Sequence, residues 1–332
     1  MPASRFLFGF TDQSVAQKRA TAEQSAELQR SAGANSARIV VDWRWVEAQK
    51  DRYHWARYDA IYAAAVARGI RPVFTLLFAP SWTLDGQCDQ YKADCTYPPT
   101  RAHLSDWREF ASLVARRYPN MAGVEVWNEP NTHFFWDPAP DPKLYMDLVR
   151  EARAAVRSVN PKVPVVGGSI ANTGTTNSTQ MSLADFTRAI YREGAKTSID
   201  ALSFHPYPNS LDMRRITRNL DQVRRVMKQY GDSGKAIWAT EIGVSTKGSG
   251  SQFLVSERQQ ADSLVAAYRA LRGEPDVNVA LFHTLVEPVS KWYSDPADPR
   301  DQLVGFGLVR QDLSPKPAFC ALAAVRGASG CR

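Results

Sequence analysis

Two glutamates stand where a carboxylate can do chemistry. Glu129 closes the run Val124-Glu125-Val126-Trp127-Asn128-Glu129, followed by Pro130-Asn131, and Glu241 lies in Ile237-Trp238-Ala239-Thr240-Glu241-Ile242-Gly243. Each follows a short apolar run of strand type, so each carboxylate falls at a strand end. Two carboxyl groups flanking one bond are what cleavage of a glycosidic linkage requires. One holds a proton for the leaving oxygen, the other is ionised to attack the anomeric carbon, and their surroundings must push the two pKa values apart. Glu125 sits inside the strand and reads as a buried structural carboxylate paired with an arginine. Glu287, in Glu287-Pro288, reads either as a substrate-side residue or as an exposed turn.

Strand-like and helix-like segments alternate along the chain. Eight short apolar runs cover 6–10, 37–41, 72–78, 123–127, 163–167, 201–204, 236–239 and 277–282. Segments with helical spacing lie between them, at 17–32, 58–68, 105–118, 144–159 and 257–272, most stopped by a glycine or proline. Such alternation implies a parallel sheet with crossover helices. Eight units close a barrel, so the fold class is α/β, a (β/α)8 TIM barrel, with 1–332 forming a single domain. An open doubly wound sheet would carry a glycine-rich phosphate loop after its first strand, and Gly9-Phe10-Thr11-Asp12-Gln13 is no such loop. In a barrel, active residues sit at the C-terminal strand ends, where both glutamates fall.

The 332 residues are 44% hydrophobic and carry a formal charge of +7. The basic residues are scattered over helix-like segments, which describes a solvated surface; no nucleic-acid motif accompanies them. No apolar run reaches the length of a membrane span. Five histidines form neither His-x-His nor His-Glu-x-x-His, so no metal and no cofactor is expected. Four cysteines fall in two local pairs, Cys88 with Cys95 and Cys320 with Cys331. Four cysteines allow three connectivities, of which the local one needs the least rearrangement. Disulfides imply an oxidising compartment. The start lacks the apolar core of a signal peptide, so a secreted or extracytoplasmic protein implies a leader absent from this sequence.

The order of these pieces resembles clan A of the glycoside hydrolases, from Phe6 to about Phe319. Trp127-Asn128-Glu129-Pro130 on strand four and Glu241 on strand seven match that clan's motifs. The resemblance makes Glu129 the acid/base and Glu241 the nucleophile of a retaining hydrolase. It makes Asn128 the partner of the sugar 2-hydroxyl. Arg38 matches the clan's arginine at the end of strand two, and either steadies the nucleophile or forms a core ion pair with Glu125. His205-Pro206-Tyr207 matches a strand-six His-x-Tyr, whose tyrosine hydroxyl bonds the nucleophile and keeps it ionised. Within the clan the layout is most like family 39 and its relatives.

Nine tryptophans suit a carbohydrate groove. Trp43 and Trp45 follow strand two, Trp82 strand three and Trp136 strand four, so all are expected on the active rim. His133 either contacts the sugar or packs its loop. Many clan members place a tryptophan under the sugar at the end of strand eight; here the run reads Leu281-Phe282-His283-Thr284. Either His283 replaces that platform with a hydrogen bond or Trp292 folds back over the site. The partner expected is an oligo- or polysaccharide. An inactive sugar-binding barrel and a transglycosylase are the rival readings.

Overall fold

A computed structural model describes residues 6–89, 95–208, 212–247, 254–288 and 302–331. The strands are β1 (Leu7–Thr11), β2 (Ser36–Asp42), β3 (Arg71–Leu77), β4 (Gly123–Val126), β5 (Val165–Ala171), β6 (Ala201–His205), β7 (Ala236–Ile242) and β8 (Val277–Phe282). They pair in chain order, all parallel, and β8 closes on β1. The helices are α1 (Ala22–Ser31), α2 (Trp43–Val46), α3 (Ala56–Ala67), α4 (Leu104–Arg117), α5 (Pro142–Val159), α6 (Leu183–Arg192), α7 (Ala195–Ser198), α8 (Arg214–Gln229), α9 (Glu257–Gly273), α10 (Gln302–Gly305) and α11 (Pro317–Val325). The architecture is the expected (β/α)8 barrel.

Local chemistry sets several boundaries. The helix expected from residue 17 starts at Ala22, because Thr21 and Gln24 form a reciprocal capping box. Ser256 and Gln259 do the same for α9. Asp141 caps α5 through the amides of Lys143 and Leu144, with Pro142 in its first turn. The fifth strand is displaced from the expected 163–167 to Val165–Ala171, with a register shift against β6 between Gly167 and Ile170. Gly168 makes that bulge: its φ is +116°, and a β-carbon there would stand 2.4 Å from the Ser203 carbonyl oxygen.

The two-residue repeat of the strands sorts the side chains. Phe74, Val124, Leu202, Phe204, Ile237 and Ala239 point outward into the layer under the helices. The alternate positions face the barrel interior. At its floor these are apolar: Val73, Val166, Ala201, Trp238 and Val279. One step toward the C-terminal strand ends the same faces carry Thr75, Glu125 and Ser203, all buried. The inside of the barrel therefore changes from an apolar plug to a polar network, and this network carries the site.

Two disulfides, Cys88–Cys95 and Cys320–Cys331, have the local connectivity. The second closes the segment holding α11. Glu287 is no exposed turn; it is buried against Lys316, whose Nζ lies 2.9 Å from Oε1 and also donates to the Gly307 carbonyl. No helix among the described residues is long and apolar enough to cross a membrane.

Candidate active site

Arg38 organises the site. It is the third residue of β2, inside the barrel rather than at the strand end, and it is buried. Its guanidinium spreads over four acceptors. Nε donates to Glu125 Oε2 at 2.6 Å and Nη1 to Glu241 Oε1 at 2.5 Å. Nη2 donates to Asn128 Oδ1 at 2.8 Å and to Ser169 Oγ at 3.2 Å. The two readings of Arg38 are thus one structure, because the same fork pairs with the core carboxylate and with Glu241. A planar guanidinium suits this task, since its donors point in fixed directions. Asn128 spends its oxygen on Arg38, which turns its amide nitrogen away from the fork.

Glu241 stands in β7 with Oε1 on Arg38 and Oε2 accepting from the Tyr207 hydroxyl at 2.8 Å. The imidazoles of His205 and His283 face the same oxygen at 3.7 and 3.8 Å. Burial pushes this carboxyl upward, but its interactions with His205, His283 and the Arg38 guanidinium and the Tyr207 hydrogen bond outweigh it and bring its pKa to about 2. Tyr207 is itself pushed well above its usual range, first by burial and then by the negative charges of Glu241 and Glu129, so it stays a hydroxyl donor.

Glu129 occupies a sharper piece of backbone. Trp127 and Glu129 have φ of +67° and +42°, a region that side chains other than glycine seldom adopt. The turn is held from both sides: the Trp127 amide donates to the Leu76 carbonyl and the Glu129 amide to that of Ser169, each at 2.9 Å. Asn131 clamps the next loop, accepting from the Ala171 amide and donating to the carbonyls of Ala171 and Met181. Strain held by surrounding bonds is found at functional sites. The carboxyl projects toward β6, where Oε1 lies 2.7 Å from His205 Nδ1. Its side chain is 19% exposed against 12% for Glu241.

One oxygen of Glu129, one of Glu241 and a nitrogen of His205 lie within 4.8 Å of one another. This is also the constellation among the described residues best able to approach a cation. Its spacing argues for proton chemistry instead, since ligands bound at about 2.1 Å around a tetrahedral ion stand well over 3 Å apart. The 2.7 Å between His205 and Glu129 is the length of a hydrogen bond.

The rim differs from expectation. Trp43 is wholly covered: its ring stacks on Phe110 and its N–H donates to Glu47 at 2.7 Å. Trp136 is buried edge-on against Trp127 and Tyr145. Both are packing residues, because the chain after each strand folds back onto the barrel wall before it reaches the rim. Trp82 is half-buried and donates to the Glu47 carbonyl. His133 sets its ring against the exposed Phe134, 4.2 Å between centroids, and among the described residues no contact ties it to the two carboxyl groups. His283 lies at the end of β8, edge-on to Tyr207 and Phe306. Burial holds its pKa below the usual range. Trp292 lies outside the described residues. Sequence reasoning missed Ser169, Asn131 and a cluster at the ends of β2 and β3. There Asp42 accepts both arms of Arg44, whose guanidinium lies 3.6 Å over the Phe78 ring.

A sequence profile of glycosyl hydrolases family 39 matches residues 12–242, a span that contains Arg38 and both glutamates. The chain belongs to family 39. A β-xylosidase of Geobacillus stearothermophilus is 30% identical over 133 residues, which is 36% of this chain and 25% of that one. A family 39 glycoside hydrolase from Bacteroides cellulosilyticus WH2 superposes with a TM-score of 0.75 at 21% identity, covering 98% of this chain and 64% of that structure. A family 39 β-xylosidase from Caulobacter crescentus gives 0.69 at 20% identity, covering 98% and 72%. This family 39 chain thus spans less than two thirds of the first two relatives, and the likeness to the solved structures is one of fold.

Proposed function

We propose that this chain is a retaining glycosidase acting on an oligo- or polysaccharide, outside the cytoplasm. The observation that carries the proposal is the asymmetric pair. Two carboxyl oxygens lie within 4.8 Å, one on a carboxylate clamped by Arg38 and Tyr207, the other on a more open group bonded to a histidine. Retaining enzymes hold their carboxyl groups about 5–5.5 Å apart, and inverting ones leave room for a water at roughly 6.5–9.5 Å.

In the first step a Glu241 oxygen attacks the anomeric carbon, and the bond to the leaving oxygen breaks as that oxygen takes the proton of Glu129. Glu241 is the better nucleophile because its low pKa keeps it ionised, and the better leaving group in the second step for the same reason. In the second step Glu129, now a carboxylate, removes a proton from water. The hydroxide bonds the anomeric carbon, the glycosyl–Glu241 ester breaks, and Glu129 is protonated again. Arg38 and Tyr207 hold the carboxylate that forms and reforms. Asn128 would meet the sugar 2-hydroxyl with the amide nitrogen it does not turn to Arg38.

The β-xylosidase relatives make aryl β-xylosides the first substrates to try, followed by other β-pentosides and β-hexosides and by polymers. Hydrolysis of one sugar class by the wild type, lost in both Glu129→Ala and Glu241→Ala, is the expected result. Binding of a saccharide without turnover would support an inactive sugar-binding barrel. Transfer to an added alcohol in preference to water would mark a transglycosylase.

A further inference from the structure

We propose that Ser169 is a positioning residue, whose hydroxyl fixes His205 as the neutral tautomer that donates from Nδ1 to Glu129. The role of that bond in catalysis rests on the glycosidase reading above; the tautomer itself does not.

Ser169 is buried on β5, and the bulge at Gly168 turns it inward with a φ of +47°. Its oxygen accepts from Arg38 Nη2 at 3.2 Å and lies 3.1 Å from His205 Nε2. Its amide donates to Ser203 Oγ and its carbonyl accepts from the Glu129 amide. Arg38 thus takes one of the two lone pairs of the hydroxyl oxygen and, having no hydrogen-bond acceptor, can take nothing in return. Of the hydroxyl's partners among the described residues, Arg38 and His205, only His205 Nε2 can accept the hydroxyl hydrogen. A nitrogen that accepts carries no proton, so the ring proton sits on Nδ1 and points at Glu129 Oε1, 2.7 Å away.

The chain Arg38, Ser169, His205, Glu129 thus runs from the clamp on one carboxylate to the other. The charged and titratable groups around His205 are Glu241, Arg38, Glu125, Tyr207 and His283, besides Glu129. Burial opposes a charge on the ring, while the carboxylates of Glu241 and Glu129 favour one and prevail. Ser169 works against them. An imidazolium would take away the Nε2 acceptor and strand the buried hydroxyl hydrogen.

Without the hydroxyl, the ring can also carry its proton on Nε2 and accept from a protonated Glu129. That option stabilises the acid form of Glu129 and leaves the carboxylate form unchanged, which extends the basic limb of the pH profile. Ser169→Gly and Ser169→Ala separate this from backbone strain. Both remove the hydroxyl, and glycine accepts a φ of +47° where alanine resists it.

The test records ring 15N spectra of histidine-labelled protein, with His205 assigned through its loss in His205→Asn, alongside the pH dependence of kcat/KM. Wild-type His205 is expected to show one protonated nitrogen, Nδ1, and one bare nitrogen, Nε2. Both variants are expected to show exchange-averaged nitrogens, and a basic limb about 0.7–1 pH unit higher, the size of one net hydrogen bond. A wild-type ring protonated on Nε2 or on both nitrogens overturns the proposal, as does an unmoved basic limb in an otherwise active Ser169→Gly. A tautomer as expected in a protein that hydrolyses nothing upholds Ser169 and defeats the glycosidase reading.

Discussion

Arg38 and Glu241 meet across the barrel at 2.5 Å, Nη1 to Oε1, while the Nε of the same guanidinium is held by Glu125 at 2.6 Å. The arginine is buried with Glu125 beneath it, so one side chain serves both the folded core and the candidate nucleophile. These two duties can be separated. Arg38→Met leaves Glu125 as an uncompensated charge inside the barrel, a loss of roughly 3–5 kcal/mol. At about 1.4 °C per kcal/mol for a chain of 332 residues, a fall in Tm of about 4–7 °C is expected. Adding Glu125→Leu removes the stranded charge, so the double variant should recover much of that Tm and stay inactive. Calorimetry and turnover on both variants check this; a double variant no more stable than the single would contradict it.

Tyr207→Phe removes the donor to Glu241 Oε2 and keeps the ring. The Glu241 carboxyl sits at about 2 partly because of that bond, so its pKa should rise in the variant. The attacking group must be ionised, and the acid limb of kcat/KM follows it. That limb should therefore move to higher pH, by about 1 unit for one hydrogen bond to a charged group. A fall in activity with an unmoved acid limb would mean that Tyr207 acts elsewhere.

The barrel was legible because period-two strands and glycine- or proline-stopped helices leave a direct trace in residue order. The positions of Glu129 after β4 and Glu241 late in β7 were legible for the same reason, since their strands could be placed. What failed was side-chain direction. Trp43 and Trp136 follow the right strands, but position after a strand does not say whether a ring turns to the rim or to the wall. The clan's pattern sets Arg38 at the end of strand two, whereas it is the third of seven residues in β2 and lies inside the barrel. Ser169 was hidden by the bulge, which moved β5 along the chain and turned this residue inward. The paired glycines Gly167-Gly168 were the available signal, because glycine inside a strand marks a bulge or a close backbone approach.

The Cys320–Cys331 disulfide spans 11 positions and ties down the helix that packs beside α9. A loop of that size restricts the unfolded chain by about 2–3 kcal/mol. Replacing both cysteines with serine should lower Tm by about 3–4 °C and leave kcat/KM within about twofold, since neither touches the site. Equal melting temperatures would show that the bond contributes nothing to the fold.

Gly168→Ala should cost more than a helix or loop substitution of the same kind. The new β-carbon would sit 2.4 Å from the Ser203 carbonyl in a backbone that favours glycine. Because Gly168 turns Ser169 toward Arg38 and His205, activity should fall together with stability. Soluble protein with wild-type activity would show that the bulge can relax without disturbing the site.

The most direct test is to trap the covalent intermediate. The wild type is incubated with an activated 2-deoxy-2-fluoro glycoside of whichever sugar class it hydrolyses, then digested and mapped by mass spectrometry. A single added glycosyl group on the peptide holding Glu241, absent from Glu241→Ala, is the result this account predicts. An adduct on any other residue, or a first-formed product of inverted anomeric configuration, would contradict it.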